Sequence, residues 1–192
     1  MVLAAGLARR MGRDKLTLTL GDRPVIRHVA EMVLSAPLLE AIVVINPRNG
    51  DAIREALHGL SLRLVCNERF EEGIASSIAA GAAAVSSGSE AMILIQGDQP
   101  LVTAEMLRAL IDAWRQGGCE FVAAAFGDVT TTPVLFGCSL LGELAALRGD
   151  TGARSVLKRH QGRTISFPQW RGIDLDTDED YAEVQRIWAT LA

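Results

Sequence analysis

The feature that most constrains this chain is an alternation in which apolar runs of strand length are followed, repeatedly, by segments whose apolar residues recur at helical spacing. Runs of consecutive apolar residues suit strands buried on both faces, and crossover helices between them let such strands pair in parallel. The strand candidates are residues 2–5, 41–45, 62–66, 91–95, 121–125, 134–136 and 164–167. Val25, Ile26, Val29, Met32 and Val33 follow Pro24 at helical spacing, with Pro in the first turn where a helix tolerates it. Met106, Leu107, Leu110, Ile111 and Trp114 repeat the pattern after a Thr103 cap, and Ile74, Ile78, Ala82 and Val85 mark a third stripe. A last helix starts at Thr177, whose spacing to Asp180 resembles a capping box, and carries Tyr181, Val184, Ile187, Trp188 and Leu191. The expected fold class is α/β: a three-layer α/β/α sandwich around a mostly parallel sheet with right-handed crossovers.

At 192 residues, one compact domain over residues 1–192 is expected. Apolar residues make up 49% and aromatic ones only 5%, so the core must be built from Ala, Val, Ile and Leu. A formal net charge of −4 gives no general attraction to polyanions, so nucleic acid and charged membranes are not expected partners, and any phosphate must be caught locally. Cys66, Cys119 and Cys138 lie far apart with no C-x-x-C pair, which argues against a zinc site or a disulfide framework. The first residues lack the order of a signal peptide and no run reaches membrane-spanning length, so the cytoplasm is the expected compartment.

Directly after the first strand candidate, the segment from Leu3 to Lys15 holds Gly6 and Gly12 together with Arg9, Arg10, Arg13 and Lys15. Backbone amides and cations in such a loop can surround a triphosphate, and sheet topology puts it at the strands' carboxyl ends, where ligands bind. The glycines sit six apart, which is not G-x-G-x-x-G, and Lys15 does not directly follow Gly12, which excludes the G-x-x-x-x-G-K-[ST] loop. The same charges also read as a solvated basic loop.

Two acidic segments carry the remaining chemistry. Gln96-Gly97-Asp98-Gln99-Pro100 closes the 91–95 run and sets a carboxylate at a strand's tip. Mg²⁺ takes one or two carboxylates plus phosphate oxygens and waters, so Asp98 suits it; a plain turn in which Asp98 caps the next helix is the other reading. In 173–180, Asp178, Glu179 and Asp180 fall in a first helical turn, where negative charge favours the helix dipole. Asp176 precedes the cap, and its side chain is expected to return to the loop face. Gly73, Ser76 and Ser77 open a helix of small residues, which suits either ligand contact or close packing on the sheet. His28, His58 and His160, like Trp114, Trp170 and Trp188, are assigned to structure or surface.

Taken in order, these segments resemble the MobA-like nucleotidyltransferases, the family of the molybdenum cofactor guanylyl- and cytidylyltransferases. Leu3-Ala4-Ala5-Gly6, Arg10-Met11-Gly12 and Lys15 are similar to the family's N-terminal signature. The resemblance implies a Rossmann-like fold of the nucleotide-diphospho-sugar transferase type, with the nucleotide held around Leu3, Ala4, Ala5, Gly6 and Gly12 and with Arg10, Lys15 and Asp98 as catalytic residues. Gly97-Asp98-Gln99-Pro100 looks like the family's G-D-x-P turn, whose aspartate binds Mg²⁺. Asp176 resembles the middle aspartate of its D-x-D-T-P-E-D ending, with Asp178 where Pro is usual, and is implied as the second metal ligand. Gly73, Ser76 and Ser77 match the segment that lies against base and ribose. Residues 131–136 and 149–154 are similar to the G-H-P-V-x-F and G-D-x-G-A-R motifs, though Thr131 and Thr132 replace Gly and His. Thr132 and Arg154 are thereby implied to contact the acceptor, while an Asp150–Arg154 pair is the other reading of that helix start. Ala5 stands where guanylyltransferases usually show a second glycine and looks like the cytidylyltransferase branch.

The implied activity is Mg²⁺-dependent transfer of CMP from CTP to the terminal phosphate of molybdopterin, with release of pyrophosphate. The implied partners are CTP or another NTP, a molybdopterin-type phosphorylated acceptor and a molybdoenzyme. The same chemistry on a sugar 1-phosphate, and a non-catalytic carrier of a nucleotide cofactor, are the rival readings.

Overall fold

The computed structural model describes residues 1–6 and 14–191. In chain order its elements are β1 (Val2–Leu3), β2 (Thr19–Leu20), β3 (Arg23–Pro24), α1 (Val25–Ser35), β4 (Ile42–Ile45), α2 (Gly50–Ala56), β5 (Arg63–Cys66), α3 (Ile74–Ala83), β6 (Ala91–Gln96), α4 (Ala104–Arg115), β7 (Phe121–Phe126), β8 (Val129–Gly137), α5 (Leu141–Ala145), α6 (Arg154–Arg159), β9 (Gly162–Phe167) and α7 (Asp178–Leu191). Seven strands form one sheet in the order β5-β4-β1-β6-β8-β7-β9, and β2 and β3 make a small hairpin. Every pairing in the large sheet is parallel except those of β8, which runs against both β6 and β7.

Both faces of the sheet are buried, and period-two alternation decides which residue goes where. Val43, Ile45, Ile93 and Ile95 face a layer made by α1, α2 and α4, packing with Ile26, Val29, Ile53, Leu107 and Leu110. Their neighbours Ile42, Val44, Met92 and Leu94 face the opposite layer, against Ile78 of α3, Leu144 of α5 and Val156 of α6. The three-layer α/β/α arrangement is thus present with a mostly parallel sheet. Leu20, Val25, Leu101, Leu175 and Val184 make a satellite cluster that binds α7 and the hairpin to the turn after β6. None of the described helices is long and apolar enough to cross a membrane.

All seven expected strands occur, and the largest extension is at 134–136, which is the inner part of β8. Its first half, Val129 to Thr132, is polar and exposed toward its start, so no apolar run marks it. Between Ala123↔Val134 and Ala124↔Thr131 the register shifts, so Thr132 and Pro133 form a bulge, the place in a sheet where a proline without an N–H is tolerated. Pro24 is extended and pairs with Thr19 instead of lying in the first helical turn, so α1 starts one residue later than expected. Thr103 caps α4, accepting from the Met106 amide at 3.4 Å. The capping box of α7 is reciprocal: Asp180 N donates to Thr177 Oγ1 at 3.1 Å and Thr177 N donates to Asp180 Oδ2 at 2.8 Å. The helix start expected near Arg154 is that of α6, while the short α2 and α5 and the hairpin show no readable period in the sequence.

One histidine ties three elements together. His160, after α6, meets Glu143 of α5 through Nε2 at 2.6 Å and Glu120, just before β7, through Nδ1 at 3.1 Å. The hydrogen bond with Glu143 is the main cause that raises the His160 pKa above 6.5, with Glu120 adding to it. A histidine raised in the folded state contributes stability that is fully present below its unfolded pKa and is lost as pH rises through the folded one. Urea midpoints are therefore expected to fall as pH rises above 6.5, and His160→Gln should flatten that slope; parallel profiles for the two proteins would exclude the histidine as its source.

Candidate active site

Strand order places the site. From β1 the chain moves outward to β4 and β5, then returns to lay β6 on β1's other side, so the carboxyl ends of β1 and β6 flank the point where connections diverge. The two ends are fastened together, with the Gly97 amide donating to Leu3 O at 2.8 Å. A Cβ on Gly97 would lie 2.9 Å from both that carbonyl and Ile26 Cδ1, so only glycine lets the turn close this tightly. Beyond β1, Asn49 Nδ2 donates to Ala4 O at 2.7 Å and Asn46 Nδ2 to Ala5 O at 3.0 Å. Both asparagines are buried, and each also holds the other's backbone, so the start of the first loop is pinned by a satisfied amide pair. When the description resumes, Asp14 caps a 3₁₀ turn by accepting from Leu16 N at 3.0 Å, which aims Lys15 inward.

Lys15 stands between two carboxylates. Its Nζ lies 2.5 Å from Asp98 Oδ2 and 2.8 Å from Asp176 Oδ1. The Asp98 side chain is 10% exposed against 46% for Asp176, so the link to Asp98 is the less screened. Burial works against the lysine's charge, but Asp98 and Asp176 outweigh it and hold its pKa above the ordinary value. Asp98 keeps a second oxygen, Oδ1, buried without a hydrogen-bond partner, and so does Asp174 Oδ1. Burial, then the charge of Asp98, pushes the Asp174 carboxyl up to about 6. The Leu175 amide donates to Asp98 O at 3.1 Å, which brings the 174–176 segment to the strand's tip.

A cavity of about 290 Å³ opens over this cluster, lined among others by Leu3, Ala5, Gly6, Lys15, Ser77 and Asp98. Gly73 lines it as well, but its left-handed φ of 102° and a Cβ that would meet Asp150 Oδ1 at 1.9 Å show that it makes room for the 149–150 turn. Three expected contacts do not line the cavity. Ala4 is buried with its carbonyl taken by Asn49; Ser76 donates to Gly73 O at 2.8 Å and accepts from Asn67 Nδ2, serving the start of α3; Asp176 touches Lys15 from outside the cavity. Arg10 and Gly12 lie outside the described residues. Asp14, Phe70, Glu71, Gln96 and Asp150 line the cavity without having been singled out as nucleotide contacts. Their signal is faint in sequence, because each is an isolated residue on a turn or strand end. Asp174 was read only as one of an acidic run.

The oxygen donors fit a hard divalent cation: Asp98 is at the cavity, one of its oxygens is unpartnered, and phosphate and water would complete the shell. Among the described residues no group of three or more His, Cys, Asp or Glu side chains is already gathered around one point. A second cavity, of about 520 Å³, adjoins the first, sharing Leu3, Ile74, Gln96 and Asp150 with it. Thr132 and Arg154 both line it. The Thr132 hydroxyl, however, donates to Gln99 Oε1 at 2.8 Å and accepts from Gln96 Nε2 at 3.3 Å, so its role is to hold the two glutamines. Asp150 and Arg154 do not pair.

Comparison with known proteins agrees with this geometry. Residues 1–164 match the MobA-like NTP transferase domain, and a molybdenum cofactor guanylyltransferase of Cereibacter sphaeroides is 32% identical over 97% of this chain and 95% of its own length. The chain belongs to the MobA-like NTP transferase family. This nucleotidyltransferase is also 29% identical to the purine catabolism protein PucB of Bacillus subtilis, over 96% of the chain and 94% of PucB. Among solved structures, Rv0371c of Mycobacterium tuberculosis is similar with a TM-score of 0.86, 29% identity and 96% and 95% coverage. The same protein in complex with manganese aligns with a TM-score of 0.81 at 28% identity, again over 96% and 95% of the two chains.

The asparagine pair gives a direct check on how the transferase builds its site. Asn49→Leu leaves Ala4 O buried without a donor, which is expected to cost about 1–3 kcal/mol of stability and to weaken nucleotide binding because the loop loses its anchor. Denaturant titration together with nucleotide calorimetry reads both; a variant unchanged in either would remove the pair from the site's support.

Proposed function

We propose that the transferase moves CMP from CTP to the terminal phosphate of molybdopterin and releases pyrophosphate. The observation that carries the reading is Lys15, ion-paired with Asp98 and Asp176, on the wall of a cavity that Asp98 also lines and that adjoins a second one. In the reaction an acceptor phosphate oxygen attacks the α-phosphorus of CTP, the new P–O bond forms on one side, and the bond to pyrophosphate breaks on the other. Two anions repel and the departing pyrophosphate gains charge, so the protein must supply alignment and positive charge.

Lys15 lines the nucleotide cavity and is held protonated, so its ammonium is available to the β- and γ-phosphates. Arg10 is proposed as its partner in that role. A Mg²⁺ ion held by Asp98, with Asp176 as the second ligand, would supply charge shared by both reacting phosphates. Amides at Ala5 and Gly6 and the Ser77 hydroxyl bind the nucleotide; Gln96 and Asp150 stand where the cavities meet and bound the space for the attack. No general base is required, because a phosphate nucleophile is already ionised at neutral pH. Ala5 supports CTP as donor, because it lines the cavity at the position where the resemblance puts a second glycine in guanylyltransferases. GTP is the second reading, favoured by the guanylyltransferase name of the Cereibacter relative.

The test is pyrophosphate release by the purified protein with molybdopterin, Mg²⁺ and each NTP in turn. Release that needs CTP and molybdopterin together is expected; release with GTP alone of the four moves the donor assignment, and none with any NTP defeats the reaction. Asp98→Asn should keep the fold and lower turnover at least about a hundredfold, the scale of losing a charge-stabilising group, so near-normal turnover would take Asp98 out of the mechanism.

A further inference from the structure

Behind the junction of the two cavities runs a chain of hydrogen bonds that has one consistent direction. Gln99 Nε2 meets the carbonyl of Thr132 at 3.3 Å, and a backbone carbonyl can only accept, so this end of the Gln99 amide is its nitrogen. Gln99 Oε1 therefore takes the single hydroxyl proton of Thr132, at 2.8 Å. With that proton committed, Thr132 Oγ1 can only accept from Gln96, which must turn Nε2 toward it, at 3.3 Å. A reversed Gln96 amide would claim the same proton and leave an oxygen of the fully buried Gln99 without a donor. The direction set in the interior thus decides which atom of the half-buried Gln96 is left over, and that atom is its carbonyl oxygen.

Gln96 lines both cavities, and so does Asp150, which is exposed on the turn before α6 with Oδ1 close to Gly73. Among the described residues neither Gln96 Oε1 nor the Asp150 carboxylate has a hydrogen-bond partner. The junction therefore offers two acceptors. Ionised phosphates are acceptors too and gain nothing from either, so the group that fits must bring two donors. A nucleotide carries such a pair beside its α-phosphate, the 2′- and 3′-hydroxyls of its ribose, and a carboxylate is a usual partner for one of them. We propose that Gln96 Oε1 and Asp150 bind the ribose diol of the nucleotide, and that Thr132 is a positioning residue that fixes which end of the Gln96 amide faces the sugar. This rests on reading the first cavity as the nucleotide site. It makes the enzyme selective for ribonucleotides over deoxyribonucleotides, whatever the base.

Calorimetry on the full chain, with Mg²⁺ and no acceptor, tests the proposal with CTP and GTP, each beside its 2′-deoxy and 3′-deoxy forms. The ribonucleotide is expected to bind at least about tenfold tighter than either deoxy form, because each missing hydroxyl strands one acceptor. Gln96→Leu should erase the preference over one deoxy form and Asp150→Ala the preference over the other. Thr132→Val should act like Gln96→Leu, since it frees the amide to rotate, while Thr132→Ser keeps the hydroxyl and the parent's preference. A threonine that only supported the fold would weaken every nucleotide alike and leave the ratios untouched. Circular dichroism verifies the fold of each variant, and Gln96→Leu, at a half-buried position, decides the matter where Thr132→Val does not fold. Equal affinity of the parent for ribo- and deoxyribonucleotides, no binding of either ribonucleotide, or a folded Thr132→Val or Gln96→Leu protein with the parent's ratios overturns the proposal. A preference that these residues control, alongside no pyrophosphate release from any NTP, rejects the proposed reaction and leaves the diol site standing.

Discussion

The contact on which the rest of the site depends is the ammonium of Lys15 held between Asp98 and Asp176. It joins the first loop, the tip of the central strand β6 and the segment before α7, three stretches that are remote in sequence. Burial disfavours the charge of a half-buried lysine; two carboxylates outweigh it, and in return the lysine neutralises a nearly buried aspartate. Backbone bonds hold the partners in register, from Gly97 to Leu3 and from Leu175 to Asp98, so the cluster is built on strand ends and on the anchored 174–176 segment.

That arrangement follows from sheet order. Because the chain steps outward from β1 in one direction and resumes on its other side with β6, the loops after these strands part and leave a crevice. The antiparallel β8 extends the crevice sideways, since its bulge at Thr132 and Pro133 puts a polar stretch beside Gln96 and Gln99. Two cavities then meet at Gln96 and Asp150. A transfer between two phosphorylated molecules needs such a junction, with each substrate entering from its own side and the reacting groups brought together in the middle.

The layers and the strand-tip carboxylate were legible in the sequence because they rest on strong local patterns. Strands buried on both faces read as apolar runs, and Asp98 follows directly from the end of one. Asn46 and Asn49 were not legible: nothing in a single sequence tells a buried asparagine that satisfies a distant carbonyl from one in an ordinary turn. Ser76 was left open between ligand contact and packing for the same reason, since Asn67 and Gly73 claim its hydroxyl only once the helix is packed. Thr132 shows the limit of motif position. It stands where an acceptor contact was expected, yet its hydroxyl bonds are used between Gln96 and Gln99. Asp174 was hidden within an acidic run until the fold buried one of its oxygens and raised its carboxyl.

The two unpartnered oxygens, on Asp98 and Asp174, are the point where stability and function pull against each other. A buried acceptor left without a donor costs about 1–3 kcal/mol, and native folds keep few of them. Asp174 has one route to relief, because a carboxyl pushed up to about 6 takes up a proton in mildly acidic solution and loses the charge that burial opposes. Asp98 has another, since Lys15 already balances its charge on Oδ2. The fold holds both strained groups in place through backbone bonds that neither side chain makes. Of the two, Asp98 lines the first cavity, so a cation or donor bound there would lower the cost left at its oxygen.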